Sequence, residues 1–139
     1  MSDHTKTASI TEEKAVVLHQ YSAAGFSRCR RYRYWLRRTW DPALERCVFI
    51  CLNPSTADAH HDDPTLKRCI SFAKQWGYGS LLLVNLFSFR ATNPRALKTA
   101  SDPVGPRTDF WLQRAAQETP HVIAAWGDRK STRLNSSHQ

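Results

Sequence analysis

Cys47-Val48-Phe49-Ile50-Cys51-Leu52-Asn53-Pro54-Ser55-Thr56 is the stretch that decides the fold. Its six leading residues are apolar without alternation and too few for a buried helix. They read as a central strand covered on both faces. The run stops abruptly at Asn53, and a polar loop follows. In open α/β sheets, ligands bind where such loops leave the carboxyl ends of buried strands.

Working outward, Asp63-Pro64 reads as a helix N-cap followed by proline in the first turn. Leu66, Cys69, Ile70 and Ala73 then recur at helical spacing, Trp76 extends the stripe, and Gly77 is placed to end it. Residues 80–87 hold Leu81-Leu82-Leu83-Val84, a second buried strand ending in Asn85. Asn93-Pro94 starts a short helix through Ala100, and Pro103, Gly105 and Pro106 break the chain. Residues 108–118 are helical in composition, with Phe110, Trp111, Leu112 and Ala115 available for packing. Residues 122–126 read as a third buried strand. Upstream, residues 31–40 alternate aromatic and basic side chains, a strand with one buried face, and Asp41-Pro42 is a turn. Strands alternating with helices predict an α/β fold, a three-layer sandwich with a mainly parallel central sheet of about four strands.

The 139 residues suit one domain. Residues 128–138, Asp-Arg-Lys-Ser-Thr-Arg-Leu-Asn-Ser-Ser-His, are what one reading frame of a common sequencing-library adapter encodes. They are expected to be foreign to the domain. The expected division is a flexible N-terminal arm and lead-in over 1–27, a single α/β domain over 28–127, and a non-native tail over 128–139. On that reading the domain is cut short, apolar surface is left uncovered, and self-association is expected. Removing Arg129, Lys130, Arg133 and Asp128 from the 20 basic and 12 acidic residues leaves 17 and 11, a net charge of +6 against +8 for the whole chain. The basicity therefore belongs to the domain.

Much of that charge lies in Arg28, Arg30, Arg31, Arg33, Arg37 and Arg38, interleaved with Tyr32, Tyr34, Trp35 and Trp40. Basic residues mixed with aromatics suit phosphate contact and base stacking, which makes Arg31, Arg33 and Arg37 candidates for nucleic-acid binding. The other reading is an exposed arginine face on a strand whose aromatics pack inward. No apolar run approaches the roughly 20 residues of a membrane helix, and the first 14 residues lack a signal core. A cytoplasmic protein without membrane contact is expected. Cys29, Cys47, Cys51 and Cys69 show no CxxC spacing and are expected as free thiols rather than disulfides or a zinc site.

Leu52-Asn53-Pro54-Ser55-Thr56-Ala57-Asp58 carries a more specific signal. So do Asp62-Asp63-Pro64-Thr65, Trp76-Gly77-Tyr78-Gly79, Val84-Asn85-Leu86-Phe87, Arg90-Ala91-Thr92, Val104-Gly105-Pro106 and Ala125-Trp126-Gly127. Together, in this order, they resemble the bacterial and phage family known as domain of unknown function 1643, from about Arg31 to Gly127. That resemblance implies no activity. Members usually continue past the Trp-Gly strand to a segment with a His-Pro pair, which is missing here.

The order of strand ends is also similar, more weakly, to the uracil-DNA glycosylase superfamily. Cys51-Leu52-Asn53-Pro54 stands where those enzymes have a Gly-x-Asp-Pro or Gly-x-Asn-Pro loop. Leu82-Leu83-Val84-Asn85 stands for their Leu-Leu-Leu-Asn strand, and Ala125-Trp126-Gly127 for their Trp-Gly strand. The resemblance implies that Asn53 positions a catalytic water and that Asn85 reads a base edge. An amide presents a donor and an acceptor in one plane, which suits either task. It does not titrate usefully, so any rate gain would come from positioning and electrostatics. Cys51 in place of the glycine, and Ser55 after the proline, depart from the pattern. The plainer readings are a turn-forming Asn53 and a buried Asn85 tying loops together.

Ser55 and Thr56 are candidate substrate contacts rather than nucleophiles, because no Gly-x-Ser-x-Gly elbow surrounds them. Arg90, and less so Arg68, is a candidate phosphate ligand. Asp58, His60, His61, Asp62 and Asp63 have metal-ligand chemistry. Asp63 is needed as a cap, however, and adjacent loop histidines commonly point apart, so neither metal nor cofactor is expected. The leading functional expectation is recognition of a nucleobase in nucleic acid or nucleotide, with N-glycosidic hydrolysis as its enzymatic form. The alternatives are a non-catalytic nucleic-acid-binding module, and a hydrolase or transferase acting on a phosphorylated small metabolite.

Overall fold

The computed structural model describes residues 21–91 and 93–126. In chain order the elements are β1 (Ser22–Phe26), β2 (Arg33–Thr39), β3 (Arg46–Cys51), α1 (Pro64–Gln75), β4 (Ser80–Asn85), α2 (Pro94–Thr99), α3 (Thr108–Glu118) and β5 (Val122–Ala124). The strands form one sheet in the order β1-β2-β4-β3-β5.

The apolar run at Cys47 becomes β3, paired in parallel with β4 on one side and β5 on the other. Alternate residues serve opposite layers, as the pleat requires. Cys47, Phe49, Leu81, Leu83 and Leu36 join Leu66, Cys69 and Ala73 of α1 in one buried cluster. Val48 and Val84, flanked by Ile50, Leu82 and Trp35, meet Ala115 and Leu112 of α3 on the other face. Each fully buried leucine or phenylalanine contributes on the order of 1.5–3 kcal/mol, so these two clusters hold the layers together.

α1 begins and ends where its sequence signals stand. The Asp63 side chain accepts from the Leu66 N–H, and proline occupies the first turn. At the other end Gly77 takes φ +87° and donates to Lys74 O, a backbone turn that suits a residue without Cβ. α2 likewise starts at Asn93, whose side chain accepts from Arg95 N–H.

Three expectations need correction. Among the described residues the sheet has five strands and is mixed rather than mainly parallel and four-stranded. β1 pairs antiparallel with β2, and β2 antiparallel with β4. Ser22-Ala23-Ala24-Gly25-Phe26 has neither alternation nor β-branched residues, so only its pairing with β2 makes it a strand. It lies within the stretch read as arm and lead-in. Next, β5 is not buried. It forms the sheet edge, and Val122 and Ala124 are exposed, because it borders β3 on one side only. Third, β2 does not present an arginine face. Its pairing with β1 shifts register between Gly25 and Phe26. Such a bulge changes the alternation, and Arg33 is buried together with Leu36 and Arg38.

No helix among the described residues is long and apolar enough to cross a membrane. Cys47, Cys51 and Cys69 are buried free thiols and Cys29 is exposed. The tail over 128–139, Gly127 and Thr92 lie outside the described residues.

Candidate functional site

β3 leads to β4 on one side, and the chain then returns from β4 past β3 to β5 on the other, so the order of the parallel strands reverses at β3. This is a topological switch point, and the crevice at its carboxyl end is the expected ligand site of a doubly wound sheet. The 53–57 loop emerges there. Leu86 N–H donates to Cys51 O and Phe87 N–H to Leu52 O, which carries the chain beyond β4 along the same rim.

Asp63 fixes that loop. One oxygen caps α1 through Leu66 N–H at 2.8 Å, and the other accepts from Thr56 N–H at 3.2 Å and Ala57 N–H at 3.0 Å. Ala57 O in turn accepts from Arg33 Nη1 at 3.0 Å. Asn53 donates both ways to main chain, to Pro54 O at 3.1 Å and Ala91 O at 3.3 Å. These bonds join the loop after β3 to the segment after β4.

Asn53 and Asn85 do come together. With Arg33, Ser55, Asp63 and Thr65 they line one cavity of about 20 Å³. That volume admits one water-sized group and not a base. Asn85 is 1% exposed, and its Oδ1 accepts from Arg33 Nη2 at 3.4 Å. Arg33 is 2% exposed, and burial pulls its guanidinium down to about 10, against the opposing pull of the nearby Asp63 carboxylate. Asn85 Nδ2 and Arg33 Nε have no hydrogen-bond partner among the described residues.

Beside this cavity lies an open cleft of about 370 Å³ lined by Arg30, Arg31, Ser55, Thr56, Phe89 and Arg90. Ser55 borders both spaces. The β1–β2 turn supplies Arg30 and Arg31. It is tied to the β4 side by Arg90 N–H donating to Arg31 O at 2.8 Å and Arg90 Nη1 to Arg30 O at 3.1 Å. The Arg30 and Arg90 guanidiniums sit 4.0 Å and 4.7 Å from the Phe26 ring centroid. Both cations rest against this aromatic ring, and among the described residues neither pairs with a carboxylate.

The structure thus gathers Ser55, Thr56, Arg31 and Arg90 on one surface and seals Asn85 beneath it, with Asn53 half-buried on the cavity wall. The nucleic-acid triad of Arg31, Arg33 and Arg37 does not share a surface. Arg31 is exposed on the cleft, Arg33 is internal, and Arg37 lies on the α3 side with Trp35 and Trp111. Arg68 is exposed on α1. Arg30 in the turn and the ring of Phe89 are cleft residues that the sequence did not single out for this site. The Arg30-Arg31 doublet was the available signal for the first, and an aromatic preceding Arg90 was a faint one for the second.

The acidic and histidine residues of the 58–63 loop have internal tasks. Asp58 Oδ1 accepts from His60 N–H, His61 N–H and His61 Nδ1. The His60 main-chain donor is the chief cause holding its carboxyl down at about 2. Asp62 pairs with Arg38 at 3.0 Å. Among the described residues, no group of three His, Cys, Asp or Glu is placed to hold a metal ion. The Cys51 thiol is pushed up, first by its bond with the Cys69 thiol and then by burial.

No curated protein and no solved structure matches the chain. A family model does match, over residues 33–139, and it does not separate the tail from the rest of that segment. This is more than half of the chain, and the matched region contains both the 53–57 loop and the segment after β4. The chain belongs to the family described as protein of unknown function (DUF1643).

Proposed function

We propose that the cleft at the carboxyl ends of β3 and β4 binds the phosphate of a nucleotide or of a nucleic acid strand. One observation carries this reading. Three guanidiniums and two hydroxyls line a single open cleft of about 370 Å³, and none of its six lining residues is acidic. Guanidinium geometry matches phosphate oxygens bidentately. Phe89 adds an aromatic ring on which a base can stack. The volume falls within the range of small-ligand sites, roughly 300–1,000 Å³.

Base recognition on this reading takes place in the cleft and not between the two asparagines. A displaced base rests against Phe89 while its phosphate meets Arg31 and Arg90. The second reading is N-glycosidic hydrolysis, in keeping with the glycosylase-like order of strand ends. It is favoured by the position of Asn53 on a water-sized cavity at the rim of β3. Asn53 then holds a water, and catalysis rests on positioning.

Fluorescence anisotropy with a labelled single-stranded oligonucleotide at several salt concentrations tests the binding reading. Replacing Arg31 and Arg90 together by alanine is expected to weaken binding. It should also flatten the log–log salt slope by about 1.4, at ~0.7 for each phosphate contact. Unchanged affinity and slope would reject it. A free nucleotide or sugar phosphate that binds at least as tightly as the oligonucleotide identifies a small-metabolite ligand instead. For the hydrolytic reading, single-turnover assays of a family member carrying the His-Pro segment, on uracil-, hypoxanthine- and mismatch-containing oligonucleotides, must yield abasic product.

A further inference from the structure

The Arg33–Asn85 pair is unexplained by the cleft alone. The register shift between β1 and β2 turns Arg33 inward, and it is 2% exposed. Two of its three nitrogens are committed, Nη1 to Ala57 O at 3.0 Å and Nη2 to Asn85 Oδ1 at 3.4 Å. Its Nε–H and the Asn85 Nδ2 group have no partner among the described residues. Buried donors are nearly always satisfied, and charged ones most of all, so two such groups on adjoining side chains call for an acceptor. Both residues line the same cavity, which has room for a single oxygen-sized group. Ser55 stands on its wall and on the wall of the cleft, so the two spaces share a border.

We propose that Arg33 and Asn85 form a buried receptor for one phosphate oxygen of the ligand held in the cleft. The inference rests on the cleft reading above and names the group that anchors the ligand. Arg33 takes part in no ion pair among the described residues, so an anionic oxygen meets its free Nε–H without displacing a carboxylate, while the nearby Asp63 offsets part of the charge. Asp63 lies on the same cavity wall. Both its oxygens are already turned to main-chain N–H groups, one to Leu66 and one to Thr56 and Ala57. Arg31 and Arg90 take the outward oxygens of the same phosphate.

The test is a titration of the full chain, uniformly 15N-labelled, with inorganic phosphate. The Arg33 Nε–H resonance is expected to shift saturably, with the same dissociation constant as the main-chain signals of Ser55 and Arg90. Asn85→Asp places a carboxylate against Arg33, so the guanidinium finds its counterion within the protein. This variant is expected to melt at or above the parent temperature and to bind phosphate at least about tenfold more weakly. Should it melt early, Arg33→Lys keeps the charge but lacks Nε–H and carries the same expected loss.

If phosphate moves Ser55 and Arg90 but leaves Arg33 Nε–H in place, and Asn85→Asp binds normally, the receptor is refuted while the cleft reading stands. If Arg90→Ala leaves both phosphate and oligonucleotide binding intact, the cleft reading falls and the receptor with it. Absence of any shift up to about 10 mM phosphate, an affinity too weak to matter for a charge-assisted site, also overturns the receptor.

Discussion

Replacing Asp63 by alanine should damage the protein more than its place in a polar loop suggests. The side chain is 4% exposed and accepts three main-chain N–H groups with its two oxygens. Losing the cap on α1 costs about 1 kcal/mol. Each of the other two bonds has a charged acceptor, for which the net contribution is about 1.5 kcal/mol at the lower end of the usual range. Thr56 is exposed and its N–H can be rehydrated in part, so the total comes to about 3–4 kcal/mol. For a chain of this size that corresponds to a fall in Tm on the order of 10–15 °C. Urea denaturation of the variant beside the parent measures it directly. Asp63→Asn separates the parts. Asparagine caps as well as aspartate, but it has only one oxygen, so it should retain the helix cap and lose the two loop bonds. A loss below about 1 kcal/mol for Asp63→Ala, or identical losses for the two variants, would refute this account of the loop.

Other consequences follow from equally local geometry. A Cβ on Gly79 would lie 1.9 Å from Asp41 O and 2.7 Å from Leu44 Cβ, while Gly79 exchanges main-chain bonds with Trp40, Asp41 and Glu45. Gly79→Ala should therefore cost about 2–3 kcal/mol in urea denaturation, and a variant as stable as the parent would contradict the packing. Asp58 has its carboxyl lowered from 3.8 to about 2 in the fold, chiefly by the His60 main-chain N–H. Its stabilisation is thus complete above about pH 4 and is lost as pH falls towards 2. Asp58→Asn should flatten the acid limb of a Tm–pH curve in that window, and superimposable limbs would dismiss the effect. Because Asp58, Asp62 and Asp63 are engaged by His60, His61, Arg38 and main-chain donors, zinc, manganese and magnesium should give no binding heat by calorimetry. A stoichiometric exotherm with a raised Tm would overturn that expectation.

Local signals were legible wherever the physics is local. Asp63-Pro64 and Gly77 bounded α1, because capping and a positive φ depend on a few neighbouring residues. The unbroken apolar runs marked β3 and β4, because strands covered on both faces cannot alternate. The polar loop at Asn53 announced a rim, and the rim carries the candidate cleft. What the sequence could not decide was which segments would lie side by side. β1 has no strand signature of its own and exists through its ladder with β2. A register shift at Gly25 and Phe26 left Arg33 inside, although residues 31–40 read as a regular aromatic and basic alternation. Arg31, Arg33 and Arg37 were grouped by sequence spacing and then scattered over three environments.

By itself, then, the sequence determined the helices, the two inner strands and the polar loop at the rim of β3 that borders the candidate cleft. Tertiary structure alone decided the mixed sheet, the exposed edge at β5, and the meeting of the Arg30-Arg31 turn with Ser55 and Arg90. The reason is that capping and hydrophobic period act over one or two turns of chain. Strand pairing and the enclosure of a cation are set by contacts between residues far apart in sequence, whose register no local pattern encodes.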